Sequence, residues 1–121
     1  MLKEARNVHQ TAGQPRRRWF DDEYFDLIVW FDKDDSVWGF QLCYDRERKP
    51  RALTWTRQYG YKHTGIDDGE RLSGASKSSP VLVADGLFDA PSIGEKFQKD
   101  AGELPPEIAA FVTAKVLAFK L

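Results

Sequence analysis

Between Phe25 and Tyr59 apolar and polar positions alternate with a period near two, the signature of half-buried strands. The run Tyr24 to Asp32 is aromatic and β-branched, and Asp32-Lys33-Asp34-Asp35-Ser36 closes it with turn residues. Val37 to Tyr44 places Trp38, Phe40, Leu42 and Tyr44 in strict alternation, after which Asp45 to Pro50 make a polar turn. Pro50 has no amide donor and is excluded from a central strand. In a third run, Arg51 to Tyr59, the residues Leu53, Trp55, Arg57 and Tyr59 share one face. Register follows from phase, because a one-residue slip turns every side chain to the other face. Pairing Phe31 with Trp38 sets Phe25, Leu27 and Val29 opposite Tyr44, Leu42 and Phe40. The same logic sets Leu53 against Tyr44 and Trp55 against Leu42.

Tyr61 to Asp67 read as a fourth, shorter strand that ends at the Asp68-Gly69 turn. Arg71 to Ser79 is rich in Ser and Gly and reads as a surface loop. Val81-Leu82-Val83 fits either a fifth strand or the approach to a helix. After Asp89 the period changes to that of a helix. Asp89 suits an N-cap and Pro91 the first turn, Ile93, Phe97, Ala101 and Leu104 recur at helical spacing, and Gly102 stops the helix. Pro105-Pro106-Glu107 opens a second helix to about Phe119. It is apolar on two sides: Ile108, Val112, Val116 and Phe119 form one stripe, while Ala110, Ala114, Leu117 and Leu121 form another. A helix of that kind is usually covered from both sides, here one side by the sheet and the other by the first helix or a second copy of the protein. Residues 1–18 have no consistent period and are expected as a flexible tail before one domain, residues 19–121. The expected fold is α+β: an antiparallel meander of about four to five strands, packed on one face by two C-terminal helices.

Composition narrows the class further. The 121 residues contain four Trp, four Tyr and eight Phe, enough ring area for a core without disulfides or metal. A formal net charge of −1 argues against a general nucleic-acid or membrane-surface binder. Leu2 to Asn7 are too polar for a signal peptide, and no apolar run approaches the ~20 residues of a membrane span. The chain is expected to be soluble and cytoplasmic.

Candidate chemistry is sparse. Arg57, in phase with Leu53 and Trp55, is either an anion-binding arginine in an aromatic pocket or a sheet-end side chain that reaches water over a ring; the second is the commoner outcome. His63, Asp67, Asp68 and Glu70 are the densest group of metal or acid–base candidates, yet their spacing matches no zinc or EF-hand loop and suits an exposed turn equally well. Cys43, the single cysteine, has no sequence-local base and reads as a small strand residue. Ser73, Ser76, Ser78 and Ser79 lack a nucleophile-elbow context, and no phosphate-binding glycine loop is present. Arg16-Arg17-Arg18 precedes an acidic stretch that weakens any polyanion field, so nucleic acid ranks last among partners.

No cofactor or metal is implied. The expected function is that of a small non-catalytic protein of bacterial type, acting as a homodimer or binding another protein. Ala110, Ala114, Leu117 and Leu121 are the expected interface, with Ile28 and Trp30 as further apolar area on the second sheet face. The alternative is an anion or metal pocket, or a minor enzyme, in which Arg57 and His63 converge.

Overall fold

The computed structural model describes residues 1–6, 8–67, 81–84 and 88–119, with 66, 67 and 81–84 described by backbone alone. Seven strands run in sequence order through one antiparallel sheet: β1 (Lys3–Glu4), β2 (Arg16–Asp21), β3 (Phe25–Phe31), β4 (Val37–Tyr44), β5 (Arg51–Thr56), β6 (Gly60–Asp67) and β7 (Val81–Ala84). Two helices follow, α1 (Ala90–Asp100) and α2 (Pro106–Ala118). The α+β meander with C-terminal helices is thus as expected, with a slightly higher strand count; six of the strands have four residues or more. Val81–Ala84 resolves as a strand, paired with Thr64 to Asp67.

The extra strands come from the segment expected as a tail. β2 pairs with β3 along its whole length, Arg16 opposite Phe31 through Asp21 opposite Asp26, and β1 pairs with β2. Leu2 is fully buried and its amide donates to the carbonyl of Asp100 at 2.8 Å, so the chain start is tied to the end of α1. The two strands escape a period-based reading for a reason: β1 is two residues long, and β2 carries charge at its core-face positions.

Alternation along β3 is complete. Phe25, Leu27, Val29 and Phe31 are buried while Asp26, Ile28 and Trp30 are half-buried on the other side. Phe25, Leu27 and Val29 face Tyr44, Leu42 and Phe40, as the phase argument requires. Phe31 faces Val37 instead of Trp38, because a bulge between Trp30 and Phe31 shifts the ladder. The hairpin explains it. Asp35 takes a left-handed conformation (φ 66°) and the amide of Asp32 donates to Ser36 O, which closes the loop one residue earlier. The β4–β5 register also differs from expectation: Leu42 faces Leu53 and Phe40 faces Trp55, a slip of two residues. A two-residue slip leaves every side chain on its expected face. Asp45, left-handed at φ 58°, and a bond from the Arg48 amide to Asp45 O tighten the turn and let Tyr44 pair with Arg51.

β5 ends at Thr56, so Arg57 and Tyr59 leave the core face they were expected to share. The chain turns to Gly60 (φ 73°), and Tyr59 is 78% exposed.

Both helices pack on the face formed by Phe25, Leu27, Phe40, Leu42 and Leu53. Asp89 caps α1 through its carboxylate, which accepts from the Ser92 amide at 3.2 Å, and Pro91 occupies the first turn. Phe97 of α1 meets Phe25 edge to face at 5.6 Å, and Phe111 of α2 meets Trp55 at 5.4 Å. Ile108, Val112 and Val116 are buried, the stripe that periodicity assigns to the sheet. No described helix is long and apolar enough to cross a membrane.

Because Phe97 is fully buried between α1 and the sheet, Phe97→Ala is expected to lower unfolding free energy by about 3–5 kcal/mol in urea titration. A loss below about 1 kcal/mol would mean that α1 is not anchored there.

Candidate functional site

The two residues expected to converge do not. Arg57 sits in the turn after β5. Its Nη1 donates to Asp32 at 2.7 Å and its Nη2 to Ser36 Oγ at 2.9 Å and Val37 O at 3.0 Å, which ties the turn to the β3–β4 hairpin. Half of its side chain remains exposed. His63 faces Leu53 across the ladder, four residues from Arg57, or roughly 13 Å along the strand. Its Nε2 lies 2.6 Å from the Tyr44 hydroxyl, the two rings are nearly parallel, and Phe88 and Phe119 pack on the imidazole. The partners named for Arg57 and His63 share no residue. His63 is buried in the aromatic core, where the Tyr44 hydroxyl satisfies one of its ring nitrogens.

Asp68 and Glu70 lie outside the described residues, as do Ser73, Ser76, Ser78 and Ser79; Asp67 closes β6 in backbone trace only. Among the described residues, no three His, Cys, Asp or Glu side chains come together as metal ligands.

On the face away from the helices, Cys43 stands opposite Asp26, and the indole N–H of Trp19 donates to Asp26 Oδ1. Burial pushes the Cys43 thiol up to about 12, with the Asp26 carboxylate adding to the effect. A thiol held that high carries little thiolate at neutral pH, which suits a packed strand residue. Burial also raises the Asp26 carboxyl above its ordinary value, against the pull of the Trp19 hydrogen bond and Arg46. Trp30 and Trp38 meet edge to face at 6.3 Å on this side of the sheet.

Among the described residues, an open cleft lies between one end of the sheet and the first turns of α2. A cleft of about 580 Å³ has Phe31, Trp55 and Phe111 as its floor and Arg16, Arg18 and Arg57 around it. Arg16 and Arg18 face Phe31 and Val29 across the β2–β3 ladder, so both lie in phase with Phe20 on the core side. That phase was readable in the sequence as Arg-x-Arg-x-Phe, but a run of three arginines suggests a charged tail before it suggests a strand. Each guanidinium has a carboxylate: Arg16 with Asp35 at 2.6 Å, Arg18 with both oxygens of Glu4 at 2.6 and 2.7 Å, and Arg57 with Asp32. The Arg18 hydrogen bonds hold the Glu4 carboxyl below the usual carboxylate range.

Of the expected interface residues, Ala110 and Ala114 are exposed along the outward side of α2 with Ala118 beyond them, while Leu117 is half-exposed and packs part of its side chain over Gly94 of α1. Leu121 lies outside the described residues. A shallow groove of about 410 Å³, walled by Gln98, Ala101, Ala109 and Thr113 among others, runs beside them between α1 and α2.

Comparison of the chain with protein-family models, curated proteins and solved structures returned no match. Function is therefore argued from this geometry alone.

Asp26 offers a test of the outer-face electrostatics. A carboxyl whose folded pKa is raised costs nothing below its unfolded value near 3.9, and costs stability as pH rises through the folded value. Asp26→Asn keeps an oxygen for the Trp19 indole and removes the charge. The variant is expected to be more stable than wild type at about pH 7, and to lose that advantage near about pH 3. Chemical denaturation at the two pH values checks it; a variant weaker at neutral pH would contradict it.

Proposed function

We propose that the protein is a non-catalytic interaction module that works as a homodimer through the outward side of α2. The observation that carries this reading is the chemistry of that side: Ala110, Ala114, Leu117 and Ala118 are exposed, and Glu107 in the first turn is the one charged residue of α2 in phase with them. A helix apolar on two sides is ordinarily covered on both. Here the sheet and α1 cover Ile108, Val112 and Val116 fully and Ala109, Phe111 and Leu117 in part, which leaves Ala110, Ala114 and Ala118 facing outward.

A second copy suits the surface better than an unrelated partner of strong charge. Beyond Glu107 the side carries no charge, and a chain of net charge −1 meets little self-repulsion on association. A twofold contact must be self-complementary. The alanines bring two helix axes close, and the groove beside Ala110 and Ala114 offers a seat for Leu117 of the partner subunit. The catalytic alternative has weaker support: Cys43 is protonated, His63 is bonded to Tyr44, and Arg57 is bound to Asp32.

Light scattering after size exclusion is expected to give a dimer mass for the wild type at tens of micromolar. Ala114→Glu puts a charge in the middle of the contact at a position exposed in the single chain. It is expected to weaken dimerisation by about tenfold or more while leaving the melting temperature of a dilute sample unchanged. A wild type that stays monomeric, or a variant that stays dimeric, overturns the homodimer.

A further inference from the structure

The cleft at the sheet end combines two features that seldom coincide without use. Its floor is aromatic, and its rim carries arginines on the core side of a strand. Arg16 lies over the Phe31 ring at 4.8 Å and Arg18 over Phe20 at 5.4 Å, so both guanidiniums are oriented by rings as well as by acids. The acids differ in how firmly they hold. Arg57 has three acceptors, and Arg18 makes a two-pronged bond with Glu4. Arg16 is held by Asp35 alone among the described contacts, through one bond between side chains 52% and 77% exposed. An exposed pair of that kind is readily exchanged for a better-placed acceptor.

We infer that this cleft binds a small amphipathic monocarboxylate, its apolar or aromatic body on Phe31, Trp55 and Phe111 and its carboxylate on Arg16. The volume, about 580 Å³, falls in the range of small-molecule sites. Single charge follows from the balance at the rim. Arg18 and Arg57 are already neutralised by Glu4 and Asp32, so only the guanidinium released by Asp35 is left to compensate a ligand. A dianion such as a phosphate monoester would bring one charge too many. Glu107 also lines the cleft and acts on Arg18, so it repels an anion from that side and directs the carboxylate toward Arg16. Planar guanidinium and planar carboxylate can then meet by two parallel bonds. The site uses the sheet-facing end of α2 and is separate from the face around Ala114.

Titration of the ¹⁵N-labelled protein with 4-phenylbutyrate tests the assignment, with the neutral 4-phenylbutanamide and the dianionic phenyl phosphate as comparators. The expected result is saturable shifts at Arg16, Phe31, Trp55 and Phe111. The amide and the phosphate are each expected to bind about tenfold more weakly or worse, and Arg16→Gln to lose the preference for carboxylate over amide. Arg16→Gln replaces a half-exposed side chain, and unchanged signals elsewhere verify its fold; the wild-type comparison of acid with amide stands even if the variant fails. No saturable shifts up to about ten millimolar, equal affinity for acid and amide, or tighter binding of the phosphate would overturn the proposal. So would shifts confined to residues outside the cleft.

Discussion

One buried sheet face sets the rest of this structure. Phe25, Leu27, Val29, Phe40, Leu42, Tyr44 and Leu53 project from three adjacent strands toward two helices, and all of them are essentially inaccessible to water. Because strand side chains alternate with a period of two, that requirement determines which residues point the other way. The bulge at Trp30/Phe31 and the tight turn at Asp45 adjust pairing by one residue or two, yet Phe25 to Val29 and Phe40 to Tyr44 keep their sides. The helices answer the same demand: Phe97 and Val112 are buried because they roof this face.

Where the roof ends, the character of the core side changes. β2 reaches past the helix layer, and its inward positions pass from Phe20 to Arg18 and Arg16. Their aliphatic stems and guanidinium planes lie along rings while the charged ends reach carboxylates at the margin. The aromatic–arginine cleft is a consequence of a sheet longer than its cover. Elsewhere the reactive groups are restrained by packing: the Cys43 thiol is held protonated by burial, and the Tyr44 hydroxyl lies against His63. Among the described residues, the cleft and the alanine-lined side of α2 remain open to a partner.

The start of the chain meets the end of α1 at the same layer. Leu2 enters the core and its amide caps the carbonyl of Asp100, while the amino terminus lies 3.5 Å from the Asp22 carboxylate. Asp22 in turn accepts from the amides of Tyr24 and Phe25 and shapes the β2–β3 turn. The first residues therefore brace the hairpin from which the buried face begins.

Legibility of the fold in the sequence followed the strength of its periodicity. Phe25 to Tyr44 and Ile93 to Val116 announce strands and helices by themselves, because burial on one side imposes a period that the order of residues reveals. The α+β class, the antiparallel order and the inward stripe of α2 were determined at that level. β1 and β2 were not, since two residues carry no period and Arg16 and Arg18 occupy inward positions that only a short helix layer makes tolerable. Nor were the bulge and the two-residue slip, which depend on left-handed turns at Asp35 and Asp45. Phase places Arg57 inward; the end of β5 at Thr56 and the pull of Asp32 and Ser36 leave it half-exposed at the margin of the cleft. The candidate site divides likewise: the apolar outer stripe of α2 is visible from spacing, whereas the cleft exists only once β2, β3, β5 and α2 come together. Local periodicity records which side of an element avoids water, and only tertiary packing decides how far its cover extends.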